Sequence, residues 1–534
     1  MTNGCGVFRR VLGASLAVAA VLAAPGAAQA AGPADSPFDG AKFTPAGTID
    51  KLVLKALRAK KITPASLCSD AVFFRRAHLD VTGTLPDPRE VRDFLADRKP
   101  DKRVALIDRL LEREEFADYW AQRWGDLLRI KAEFPINLWP NGVQAYSRWV
   151  HAAVRENMPY DRFARVLLTS SGSNFRVPPV NFYRAIQGQE PSAIAAAVGL
   201  TFLGARIESW PPARREGMEA FFSRVAYKKT AEWKEEIVYL DPAATEPVRA
   251  VFPDGKPVRV PVGTDPREVF ADWLIRPDNP WFARNAVNRV WAWLLGRGIV
   301  HEPDDFRPDN PPTHPELLDF LAKELVAAKY DLRHVYRLIL TSNTYQQSPV
   351  PRSDSPQAEA MFACYPVRPL DAEVLVDALN WITGARSGYS SLIPEPYTFI
   401  PAYERTIALE DGSITSQFLE MFGRPSRDTG RYAERNRKPD KAQRLHLLNS
   451  STFQDRIARS WRLQGLMRAA GKDHHRLINL VYVTILSRPP TAAERSTVEK
   501  QFKPQGKRGR NSNRDAVIDL TWALINTKEF LYRH

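Results

Sequence analysis

The chain has 534 residues, with 75 lysines and arginines against 61 aspartates and glutamates, for a formal charge of +14. That length supplies two or three domains with substantial cores. No stretch beyond the N-terminus is long and apolar enough to cross a bilayer, and the absence of any Cys-x-x-Cys excludes a cysteine zinc site and covalently held haem.

Residues 1–30 read as a signal peptide. Arg9 and Arg10 start it, Val11 to Ala24 form a short apolar run, and Ala28-Gln29-Ala30 offers the small-x-small site for cleavage. A membrane anchor is the alternative, but the run is short and lacks a charged stop-transfer flank. The expected location is therefore periplasmic or extracellular, where nucleic acid is not an expected partner. Removing Arg9 and Arg10 takes the charge from +14 to +12. An exported cationic protein meets acidic glycans, anionic lipid or the cell envelope. A diffusely charged surface accounts for the same excess, since only 424–444 and 503–514 are dense in Lys and Arg. After cleavage Cys68 and Cys364 remain, and they form either one disulfide or two separate buried thiols.

Residues 31–45, rich in Gly, Pro and Ala, read as a disordered tether. Ile49, Leu52, Val53, Ala56 and Leu57 then fall at helical spacing. Asp87-Pro88 starts another helix, with Asp87 as cap and Pro88 at the first position. Asp101 is placed to cap the next. Further helices are expected from about Phe116 to Ile130 and over 143–157. Residues 237–262 alternate like strands, and Pro253-Asp254-Gly255 between Pro247–Phe252 and Lys256–Pro261 has hairpin chemistry. Helices resume at about Arg267. Thr313-His314-Pro315-Glu316 has the form of a capping box, and more helices are expected over 331–341, 369–384, 440–449, 451–469, 474–487, 491–502 and 513–529. The fold class is mainly α: an N-terminal helical block over 46–236, a β insertion over 237–266, and a C-terminal helical block over 267–534.

Several segments then match a known family. Phe74-Arg75-Arg76 through Leu79-Asp80-Val81-Thr82-Gly83, Tyr119-Trp120 and Asn157-Met158-Pro159-Tyr160-Asp161 resemble the planctomycete secreted, cytochrome-associated domain of unknown function 1549. Asn288-Arg289-Val290-Trp291, Pro303-Asp304-Asp305-Phe306, Leu370-Asp371-Ala372-Glu373 and Phe422-Gly423-Arg424-Pro425 resemble its usual companion, domain of unknown function 1553. The resemblance implies a secreted bacterial protein without an established activity. Members commonly carry a Cys-x-x-Cys-His motif after a Phe-Leu-Gly segment. Here Phe202-Leu203-Gly204 is present, but Ile207 to Met218 contains neither cysteine nor histidine, so no c-type haem is expected and no other cofactor is predicted.

Three constellations are candidates for chemistry. His301, Asp304, Asp305 and His314 crowd a Pro-rich loop, and such groups bind a divalent ion or act as acid and base; local caps and turns use the same residues. Arg424, Arg427, Arg431 and Arg435 offer forked guanidinium groups for sulfate or carboxylate, or else pin their loop through an internal ion network. Trp210, between Ser209 and Pro211-Pro212, is the tryptophan whose setting suggests exposure. Trp120, Trp124, Trp291 and Trp293 read as core. No nucleophile elbow, phosphate loop or His-Glu-x-x-His is present. The leading expectation is an exported, non-catalytic binding or assembly protein for envelope or anionic glycan. The alternatives are a metal-assisted hydrolase working through Asp304, Asp305 and His314, and a docking partner for a separate cytochrome c.

Overall fold

A computed structural model describes residues 36–502 and 513–534; the expected signal peptide over 1–30 and residues 31–35 of the expected tether lie outside them. The architecture is mainly α. The first block runs through α1 (Thr48–Ala59), α2 (Asp70–Val81), α3 (Pro88–Ala96), α4 (Lys102–Leu111), α5 (Glu114–Leu127), α6 (Trp139–Arg155) and α7 (Tyr160–Thr169). Local chemistry sets these boundaries. The Ser69 hydroxyl caps α2 through the Val72 amide, and Asp87 accepts from the Arg89 amide at 2.7 Å with Pro88 at the first helical position. Asp101 sits at the start of α4, but its side chain makes no cap bond. Gly83 closes the turn after α2 at φ +64°, where an added Cβ would stand 2.7 Å from the Tyr119 ring.

The expected hairpin is present: β4 (Val248–Val251) pairs antiparallel with β5 (Pro257–Val260), and Gly255 turns it at φ +89°. Two further sheets form, and of their strands only that at 236–240 overlaps the strand-like stretch 237–262. β1 (Gly172–Ser173), β2 (Val225–Lys229) and β3 (Glu236–Leu240) form an antiparallel sheet in the order β1-β3-β2. β6 (Arg368–Pro369) pairs with β7 (Tyr532–Arg533). Strands of two residues carry no readable alternation.

The second block includes α8 (Phe282–Leu295), α9 (Pro315–Ala327), α10 (Ala372–Thr383), α11 (Lys441–Asn449), α12 (Ser451–Ala458), α13 (Trp461–Ala470) and α14 (His474–Leu486). The single helix expected over 451–469 is two, because Ser460 leaves the helix and caps α13 through the Leu463 amide. The capping box at Thr313 is absent. Thr313 instead pairs with Ile299 through its amide and hydroxyl, His314 takes the cap position, and Glu316 reaches Lys55 at 2.6 Å. Residues 36–45 are not a tether either: Gly40 donates to the Leu67 carbonyl at 2.6 Å, and Phe43 is buried. Cys68 and Cys364 are free, buried thiols, not a disulfide; the backbone at Cys68 is committed to Gln346, while burial pushes the Cys364 thiol up to about 11. Among the described residues no helix is long and apolar enough to cross a membrane.

Both blocks share one apolar core that runs from Ile49 to Phe530. A buried ionic network joins them. The Asp371 carboxylate accepts from Tyr119 and Arg123 of α5 and from Arg533 of β7. Asp80 of α2 accepts from Tyr345 (2.8 Å), Tyr365 (2.7 Å) and Arg368 (2.9 Å). Arg435 forks onto Glu373 (2.7 Å) and Asp126 (2.7 Å). Burial opposes charge on Asp371, yet Arg123, Arg533 and Arg435 hold its carboxyl well below the usual range. Removing one member of such a buried set strands the others without compensation. Asp371→Ala is therefore expected to cost about 3–5 kcal/mol, whereas Glu316→Gln, which breaks the exposed pair with Lys55, costs less than about 1 kcal/mol. Chemical denaturation of both variants measures the contrast; equal losses contradict it.

Candidate binding groove

The residues singled out around 301–314 do not assemble. Asp304 is fully buried; one carboxylate oxygen accepts from Arg289 at 2.8 Å and the other from the Tyr432 amide. Asp305 pairs with Arg307 at 3.3 Å. His314 is buried, its ring lies tilted against Phe362 at 5.5 Å, and its imidazole is pushed down to about 4 by burial, which keeps it neutral. His301 stands beside Glu302 at 3.9 Å, and burial together with Arg297 lowers its pKa. A cation would have to break the Arg289–Asp304 pair, so Asp304 is scaffolding.

The arginine loop is mostly an internal brace. Arg424 meets Glu373 at 3.5 Å and donates to backbone carbonyls. Arg427 binds Asp126 (3.0 Å) and the carbonyls of Ile130 (3.2 Å) and Glu410 (2.8 Å). Arg435 is spent on Glu373 and Asp126, and only Arg431 is exposed. Trp210 is half-buried, with the Arg214 guanidinium 3.9 Å above its ring.

A different feature is built for contact. A cleft of about 580 Å³ opens between α6 and the segment 398–411. Pro140, Gln144, Ser147, Arg148, His151 and Arg155 line it from α6 at helical spacing. The opposite face of α6 buries Tyr146, Val150 and Ala153, so the cleft receives the polar stripe of an amphipathic helix. That stripe is visible in the sequence but reads there as a solvated face.

An aromatic cluster stands beside the cleft, next in the chain to its lining residues Pro140 and Thr398. Trp139 begins α6 and packs 4.4 Å from Trp233 and 5.7 Å from Tyr397. Trp233 is 59% exposed and Tyr397 44%. One end of the cleft is ionic. His151 Nε2 donates to Asp118 at 3.0 Å and lies 3.5 Å from Glu114; Arg405 holds the second Asp118 oxygen and reaches Glu115 at 3.4 Å. The hydrogen bond to Asp118 raises the His151 pKa against the opposing effect of burial. Within the cleft, burial raises the Glu410 carboxyl, with Arg148 opposing and Glu404 adding to the shift. Clefts that collect perturbed titratable groups are the places to look for function.

Residues 48–208 match the family described as PSCyt2, a protein of unknown function (DUF1549), and residues 266–502 match PSD1, a protein of unknown function (DUF1553). The two matches follow one another in the order expected, one on each helical block. No curated protein and no solved structure matches the chain.

The His151 pair has a pH signature. Its folded-state pKa lies above the unfolded value, so its stabilisation is complete below about pH 6.5 and is lost as pH rises through the raised value. An NMR titration is expected to place the His151 imidazole above an ordinary histidine, and Asp118→Asn to bring it down. An unchanged midpoint in that variant contradicts the pairing.

Proposed function

We propose that the protein is an exported, non-catalytic binding protein that holds a carbohydrate polymer of the cell envelope along α6. The observation that carries this reading is an exposed aromatic cluster set beside the polar, half-buried floor of the groove. Sugar rings present apolar C–H faces that stack on aromatics, and hydroxyls that need both donors and acceptors. Trp233 and Tyr397 supply the first. Gln144, Ser147, Arg148 and the Glu410 carboxylate supply the second. From Trp139 to His151 the helix rises about 18 Å at about 1.5 Å per residue, a length that favours an extended ligand. The leader sequence at residues 1–30 supports export.

Binding of soluble neutral oligosaccharides by calorimetry tests the reading. Trp233→Ala and Tyr397→Ala, both on exposed side chains, are each expected to weaken binding about fivefold, the equivalent of about 1 kcal/mol for one aromatic contact. Wild-type affinity in both variants overturns the assignment of the groove.

A second reading has one observation behind it. Ligand atoms of Glu114, Asp118 and His151 lie within 4.8 Å of one another, the one such group among the described residues. Two carboxylates and an imidazole suit zinc or manganese, and the ion would supply an activated water for hydrolysis. Arg405 already occupies Asp118, which places this reading second. Metal analysis after incubation with zinc decides it: one equivalent, lost in His151→Ala, supports it, and no retained metal removes it.

A further inference from the structure

On the far side of residues 403–405 lies a second cleft of about 740 Å³, bounded by the end of α10, the start of α13 and the α2–α3 turn. Glu404 lines both clefts, so the two are neighbours.

The carboxylates of this second cleft are all committed. Glu90 binds Arg113. Glu115 faces Arg405. Asp377 accepts from the amides of Thr406 (2.9 Å) and Ile407 (3.0 Å). Asp87, the carboxylate that acts on Arg462, caps α3. Glu404 accepts from the Arg405 amide at 3.1 Å.

Two of the arginines are not committed. Arg386 stands 3.6 Å above the exposed Tyr403 ring, and among the described residues no carboxylate pairs with it. Arg462 packs over Trp381 at 4.6 Å and Trp461 at 5.3 Å. Its Nε is buried and has no acceptor. A buried donor left unpaired costs free energy that an incoming acceptor recovers. Stacking on rings holds a guanidinium flat and leaves its N–H edge for a planar or tetrahedral anion.

We infer that this cleft is an anion subsite, in which Arg386 and Arg462 bind the carboxylate or sulfate substituents of an acidic polysaccharide. The inference rests on the carbohydrate reading of the neighbouring groove and names the class of its ligand. It also moves the anion-binding role from Arg424, Arg427 and Arg435, which face inward, to two arginines outside that loop.

The full chain is titrated with oligogalacturonate and with its methyl ester, and in parallel with dextran sulfate and dextran. Each pair shares a backbone and differs in charge. The acidic member of at least one pair is expected to bind at least tenfold more tightly, and the pair that responds identifies carboxylate or sulfate. Arg386→Gln/Arg462→Gln is expected to abolish that preference and leave neutral binding unchanged. Arg386→Gln alone, on an exposed side chain, reads part of the same loss if the double variant does not fold. Arg58→Gln/Lys60→Gln removes equal charge from the exposed C-terminal end of α1 and its cap and controls for non-specific attraction. Equal affinity for acidic and neutral members overturns the inference, and so does an equal loss in the α1 control. The groove assignment fails separately, through Trp233 and Tyr397 variants that bind neutral oligomers normally. In that case a rise in unfolding temperature with inorganic sulfate, absent in the double variant, still reads the subsite.

Discussion

The structure depends on charges that are out of water and balance fully only across the two halves of the chain. Asp80, Arg123 and Asp126 come from the N-terminal block; Asp371, Glu373, Arg368, Arg435 and Arg533 come from the C-terminal one. Neither set is neutralised alone, and an uncompensated buried charge costs several kcal/mol. The two family domains are therefore one folded body. The same network fixes the groove. Arg427 ties Asp126 and the Ile130 carbonyl, at the end of α5, to the Glu410 carbonyl, which anchors the 398–411 wall from beneath.

This explains what the family-defining segments do. Arg75 and Arg76 are buried and donate to the carbonyls of Ile485 (2.7 Å), Tyr345 (2.6 Å) and His534 (2.8 Å). Asp80, Arg289, Asp304, Asp371 and Glu373 are all internal. The motifs that identify the chain are mostly scaffold. The groove is lined by Gln144, Ser147, Arg148 and His151, which belong to none of them. A family can thus be recognised from its sequence while its chemistry stays unread, because buried Arg–carboxylate pairs and ligand sites draw on the same residue types.

Local signals carried the fold. Asp87-Pro88, the helical stripe of α1 and the Asp254-Gly255 turn act over a few residues, and each element stands where its pattern put it. The failures share one cause, competition from residues distant in sequence. Thr313 forgoes its capping box for Ile299, and Asp304 turns from the loop to Arg289 and Tyr432. Residues 36–45 are ordered by pairing with 67–68. The groove was illegible for the same reason: Asp118 and His151 meet only because α5 packs on α6, and Arg462 is notable only because nothing nearby accepts from it.

Native-state hydrogen exchange tests the central claim most directly. If the buried network makes one cooperative body, the most protected amides of α2, α5 and α10 exchange with the same opening free energy, equal to that of global unfolding. Exchange of α2 and α5 through an opening that leaves α10 protected would show two independent domains and contradict the account.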